Sequence, residues 1–151
     1  MQIILGWLSN FYHTILRGYQ KLLYHCQAYH LAYFGKELLK EDFQAWVHGP
    51  VCSEIYHNFK GESVLYSDIK FKGDKKEIET YVKNYLTTDQ FDLINELLKE
   101  LSTWTGLQLE TSTHQEKPWQ SARIGYGEAD ICNEIISKDS MKEFYKKFVN
   151  G

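Results

Sequence analysis

The stretch QKLLYHCQAYHLAYFGKELLKEDFQAWVHGPVCSEIYHNFK, Gln20 to Lys60, decides how the rest of the chain is read. Through its first half and just ahead of it, Ile15, Tyr19, Leu22, Cys26, Tyr29 and Tyr33 recur at steps of three and four, with Leu16, Leu23 and His30 widening the stripe. That period predicts a long amphipathic helix that needs a large apolar surface to lie against. Gly35 follows the last periodic residue, where a left-handed cap is sterically easy for glycine, so the helix ends there. Phe43, Ala45 and Val47 then alternate with Gln44, Trp46 and His48, the period of a short strand. Gly49-Pro50 is expected to break it, because proline pushes the residue before it out of the helical region. Ser53 is then placed to cap a short helix carrying Ile55, Tyr56 and Phe59.

Further along, Val64 to Phe71 is an irregular β-like run, expected to pair with 43–47 as a two-stranded ribbon. Asp74 is placed to cap a helix on which Ile78, Tyr81, Val82 and Tyr85 share a face. Thr87 with Gln90 forms a capping-box pattern that opens a helix presenting Phe91, Ile94, Leu97, Leu98, Leu101 and Trp104, with Gly106 as its expected end. A short helix over Leu107 to His114 is expected to finish before Pro118. A last one near Asp139 to Val149 aligns Met141, Phe144, Tyr145 and Phe148. Upstream, Ile3 to Phe11 fits a first amphipathic helix on the core. The whole reads as a mainly α, compact, single-domain helical bundle of about six helices with a small two-stranded β ribbon, spanning residues 1–151.

Bulk properties narrow the function. The chain has 151 residues, 17 basic and 20 acidic side chains and a net charge of −3, so no strong positive field exists to hold a nucleic acid. Three widely spaced cysteines, Cys26, Cys52 and Cys132, do not form a disulfide framework and suit a reducing cytoplasm. The apolar opening lacks a basic n-region and a small-residue cleavage site, and no run reaches the length of a transmembrane span. Eleven tyrosines and four tryptophans suit positions that are half buried and half wet, whether at a core boundary or on a protein-binding face.

Catalytic signatures are sparse. Cys26 and His30 lie four apart on one helix face beside His25, but a zinc site needs three or four ligands, and no CxxC or HExxH accompanies them. His48 and Cys52 flank the Gly49-Pro50 turn, with Cys52 near a helix N-terminus that could lower its pKa, but no motif adds an orienting group or an oxyanion site. No enzyme, cofactor or metal is therefore expected. Trp46 beside the Gly-Pro break can pack beneath the turn with its indole N–H on a backbone carbonyl, or join Tyr56 in a contact surface. His114 and the Pro118-Trp119 pair read either as a buried capping interaction or as the rim of that surface. If the two motifs meet, His114 hydrogen-bonds near the Gly49-Pro50 turn.

The blocks QKLLYHCQAYHLAYFGKELL, FQAWVHGPVCSEIYHNFKG and THQEKPWQSAR, in this order, closely resemble the Panacea domain. In that family of prophage- and plasmid-associated proteins, many of them antitoxins, a KLQKLLYYAQ-like helix precedes an A-W-x-x-GP turn, a V-Y-x-x-F helix and a T-H-x-x-x-PW segment. Residues 1–17 depart from the usual lead-in, Gly18-Tyr19 stand where Lys-Leu is usual, and Cys26 replaces a common alanine. The resemblance implies an antitoxin-like protein that neutralises a cognate toxin encoded nearby through direct binding, with Tyr24, Trp46, His48, Gly49, Pro50, Tyr56, His114, Pro118 and Trp119 as motif or partner-binding residues. Its alternatives are an adaptor that delivers a bound partner to a protease, or an enzyme using the His/Cys groups. Transcriptional autoregulation fits poorly, because the chain lacks a helix-turn-helix extension and its charge is negative.

Overall fold

The computed structural model describes residues 7–8, 16–59 and 75–149. The described elements are α1 (Leu16–Phe34), β1 (Phe43–Trp46), β2 (Gly49–Val51), α2 (Ser53–Phe59), α3 (Lys75–Tyr85), α4 (Thr88–Leu101), α5 (Gly106–His114), α6 (Lys117–Ala122), β3 (Ile135–Ile136) and α7 (Lys138–Val149). The fold is mainly α, as expected, with a small antiparallel sheet.

That sheet differs from the expected ribbon. It has three strands in the order β2-β1-β3, with Gln44 opposite Val51, Ala45 opposite Pro50, Phe43 opposite Ile136 and Gln44 opposite Ile135. Gly49-Pro50 does not end the extended chain but opens β2. Proline is tolerated there because β2 is an edge strand, where a missing N–H leaves no ladder bond unmade. The Val64–Phe71 run and the Asp74 cap lie outside the described residues. Two further boundaries also move. Helix α4 stops at Leu101, and Gly106 begins α5 instead of ending α4, because Thr105 and Gln108 form a second capping box like that of Thr87 and Gln90. Pro118 sits in the first turn of α6, where its missing N–H costs nothing.

Helix α1 is the axis of the molecule. It was expected to bury one stripe, yet it is enclosed nearly all round by α7, α4, α5 and β2, and Gln20, Lys21, His25, Gln27 and His30 are buried with its apolar residues. Gly35 ends it at φ +72°, with its N–H on the Leu31 carbonyl. Trp7 and Leu8 are helical and buried, and Trp7 stacks on Phe91 of α4 with ring centroids 4.9 Å apart. On the other side Tyr29 meets Tyr145 of α7 edge-on at 4.9 Å, and Tyr24 meets Phe43 of β1 at 5.4 Å.

Polar groups on a buried helix need partners, and here they find the backbone of connecting segments. The Gln27 amide donates to the Leu39 carbonyl (2.8 Å) and accepts from the Leu38 and Leu39 N–H groups (2.8 and 3.0 Å). Gln20 does the same for Cys52, accepting from its N–H at 2.8 Å and donating to its carbonyl at 3.2 Å. His30 bonds the Lys36 carbonyl through Nδ1 (2.7 Å) and the Gln90 amide through Nε2 (3.0 Å). Replacing Gln27 by leucine keeps the volume but orphans three backbone groups, so Gln27→Leu is expected to lower unfolding free energy in urea by about 3 kcal/mol.

A second buried network joins α1, α6 and α7. The Tyr145 hydroxyl donates to both Glu116 oxygens (2.7 and 2.9 Å) and lies 3.1 Å from His25 Nδ1. With the hydroxyl proton directed at Glu116, His25 Nδ1–H donates to the Tyr145 oxygen and Nε2 is the bare nitrogen. Burial raises the Glu116 carboxyl from 4.5 to about 7, although Tyr145 and Lys147 partly oppose it. Burial, helped by Lys21, lowers His25 from 6.5 to about 4. Both sites therefore favour neutral side chains, with opposite pH signs. The Glu116 contribution is complete below pH 4.5 and is lost as pH rises to about 7, while that of His25 is complete above 6.5 and is lost as pH falls to about 4. Each amounts to roughly 3 kcal/mol, so the two slopes offset each other between pH 4.5 and 6.5. Glu116→Gln removes one of them. Against wild type, its urea stability is expected to fall by about 3 kcal/mol more on going from pH 6.5 to 4.5, and parallel profiles would refute the assignment.

Candidate partner-binding site

The β1–β2 hairpin turns through Val47 and His48, and its position is set by side chains from the α5–α6 region. Two successive carbonyls of its first strand are each taken by a different donor. Arg123 Nη1 reaches the Ala45 carbonyl at 2.8 Å, and the Trp119 indole N–H reaches the Trp46 carbonyl at 2.9 Å. The ring of His114 stacks on Trp119 with centroids 4.2 Å apart, and the Arg123 guanidinium lies 5.1 Å from the same ring. His48 Nδ1 is 2.9 Å from Glu110 Oε1. Burial lowers the His114 pKa, against the opposing pull of Glu110 and the Val47 carbonyl.

Close approach explains the glycine of the turn. Gly49 has φ +115°, and a Cβ there would stand 3.1 Å from Thr113 Oγ1 and 3.2 Å from Lys21 Cε. Thr113, next to His114, therefore fills the space against Gly49. The Gly-Pro and Thr-His…Pro-Trp motifs meet in space, with Thr113 against Gly49 and the Trp119 indole N–H on the Trp46 carbonyl.

Alternation along the sheet separates two faces. Phe43, Ala45, Pro50 and Ile136 point into the core, whereas Gln44, Trp46, Val51 and Ile135 share the outer face. Across that face Val51, Gln44 and Ile135 form one row, and Trp46 is met edge-on by Tyr56 of α2 at 5.0 Å. The Trp46 indole N–H donates to Gln44 Oε1 (2.8 Å), not to a backbone carbonyl; the indole that does so is that of Trp119. Beside the face opens a pocket of about 300 Å³ with mostly apolar walls, lined by Trp46, Val47, His48, Val51, Tyr56 and Ile131, with buried Gln20, Lys21 and Cys132 also contributing.

The motif residues thus divide by location. Tyr24 is wholly buried against Phe43, Tyr145 and His25, and Gly49, Pro50 and Pro118 are buried too, so these four act through the fold. Trp46, His48 and Tyr56 line the pocket, while His114 and Trp119 lie behind the hairpin and brace it. Sequence reasoning missed Arg123, although it ends the block THQEKPWQSAR. Its burial was the missing information, because a lone arginine after a helix ordinarily reads as solvated.

The cysteine and histidine groups are engaged in structure. Cys52 was expected to gain acidity from a helix N-terminus, but burial and its bond to Glu54 push the thiol up to about 12. Burial does the same to Cys26. Among the described residues no group of three or more His, Cys, Asp or Glu side chains is placed to hold a metal, and no helix is long and apolar enough to cross a membrane.

The helical domain thus carries a small sheet held at two carbonyls by one downstream segment. Residues 19–120 match the family model described as Antitoxin SocA-like, Panacea domain, and the chain belongs to that family. No curated protein and no solved structure matches it. The matched range takes in the hairpin, His114 and Trp119, and ends before Arg123, β3 and α7.

Gly49→Ala combines a disfavoured φ with a tight contact and is expected to cost about 2 kcal/mol, read as a fall of roughly 5 °C in Tm. An unchanged Tm would mean the hairpin is not clamped as described.

Proposed function

We propose that this antitoxin-like protein neutralises a cognate protein toxin by binding it directly, through the pocketed outer face of its sheet. The observation that carries this reading is a division of labour. The polar groups of the two motifs are spent on holding the hairpin, while the residues that open to solvent beside it are apolar and aromatic. Such a surface suits the buried centre of a protein interface, where Tyr and Trp anchors contribute most of the affinity. The thiols of Cys26 and Cys52, held protonated by burial, support a binding role over a nucleophilic one.

The reading is tested by expressing the neighbouring co-transcribed reading frame with and without this protein. Wild type is expected to restore growth, also in a strain lacking the major energy-dependent proteases, as a direct blocker must and a delivery adaptor would not. Tyr56→Ala combined with Ile131→Asp is expected to abolish rescue while leaving the melting curve within about 3 °C of wild type, because Ile131 is exposed and Tyr56 only half buried. A harmless neighbouring frame, or full rescue by the double variant, would sink the proposal.

A further inference from the structure

Charge around the pocketed face is one-sided. From Ile124 to Ser137 the chain carries Glu128, Asp130 and Glu134 and no lysine or arginine. The same segment exposes Ile124 (80%), Ile131 (83%) and Ile135 (55%). Ile131 lines the pocket and Ile135 stands in the outer row of the sheet, so this acidic, apolar segment is continuous with the face. On its far side Glu54 and Glu41 lie close enough to Cys52 to raise its pKa, and Gln44 of the same face reaches Ser53.

Among the described residues, four nearby cationic or titratable side chains are engaged. Arg123 is buried, and its guanidinium is spent on the carbonyls of Ala45, Gly127 and Asp130. Lys21 is only 2% exposed, His48 is paired with Glu110, and Lys138 is held by Glu37 and Asp42. What faces solvent is a mostly apolar hollow, and the segment that supplies its Ile131 also carries the exposed Glu128 and Glu134.

We propose that this face takes a basic, amphipathic segment of the partner, one apolar side chain entering the pocket between Trp46, Tyr56 and Ile131 while flanking lysines or arginines meet Glu128, Glu134 and Glu54. This rests on the toxin-binding reading above and names the chemistry of its partner. Charge complementarity selects the occupant, since a second copy of this chain would bring like charges together, and nucleic acid or an anionic membrane would be repelled. Rim charges of this kind act mainly on association rate and salt dependence, and the apolar anchor on lifetime.

The experiment uses the full chain and three labelled synthetic 12-residue peptides, of lysine with leucine, glutamate with leucine, and lysine with serine, followed by fluorescence anisotropy. The lysine–leucine peptide is expected to bind at least about tenfold tighter than either control. Glu128→Lys with Glu134→Lys is expected to weaken it about tenfold and to flatten its salt dependence. Glu128→Lys alone, at an exposed position, is expected to act in the same direction. Glu77→Lys with Glu79→Lys, on α3, is expected to change binding less than about twofold. Equal binding of the glutamate–leucine peptide, or equal losses in the two double variants, would overturn the proposal. Failure of the toxin-binding reading itself appears separately, as absence of growth rescue by wild type.

Discussion

A helix enclosed on nearly every side has little access to water for its polar groups, and α1 carries Gln20, Lys21, His25, Gln27 and His30 into the interior. A buried amide without partners costs more than a made hydrogen bond contributes, so these residues constrain the fold more strongly than the leucines between them. Gln20 and Gln27 lie seven residues apart, two turns along one side of the helix, and each presents an amide to a separate stretch of backbone, at Cys52 and at Leu38–Leu39. In effect each glutamine imitates a strand neighbour. Apolar packing would tolerate small shifts of the chain after α1, whereas paired N–H and C=O contacts to one amide fix its path.

The same solution recurs one layer out. A sheet whose third strand is two residues long cannot complete the ladder of β1, and Ala45 shows where it gives way. Its N–H still finds the Glu134 carbonyl, but its own carbonyl is taken by Arg123. Trp119 continues the substitution at the next residue. Held in this way, the hairpin keeps its outer face open without leaving it loose. Rigidity matters for a binding surface because side chains already ordered lose little entropy on association.

Much of this was legible in the sequence, and what was not has a common cause. The period of α1, the glycine that ends it, the alternation of β1 and the Thr87 capping box all follow from local chemistry or spacing, whereas the meeting of the two motifs was an expectation drawn from the family resemblance. Gln20, Gln27 and Arg123 were not legible, because a polar residue on a helix looks solvated until the partner backbone is placed against it. Strand β3 is too short to show alternation. Gly106 and Pro118 were read as stops, although both also suit a helix start. Thr105 with Gln108, the same pattern as Thr87 with Gln90, was the signal that could have corrected the first of them.

Strongly shifted pKa values often mark a functional site, since catalysis requires groups poised away from their ordinary range. In this molecule Glu116, His25, Tyr145 and Cys26 are shifted by burial, and none of them lines the pocket. Glu116, His25 and Tyr145 form instead the polar seam between α1, α6 and α7. Desolvation is the largest cause of each of these shifts. Electrostatics and shape thus separate in space: titratable groups tie the interior together, and the hollow beside the hairpin offers apolar contact next to a segment that carries exposed carboxylates.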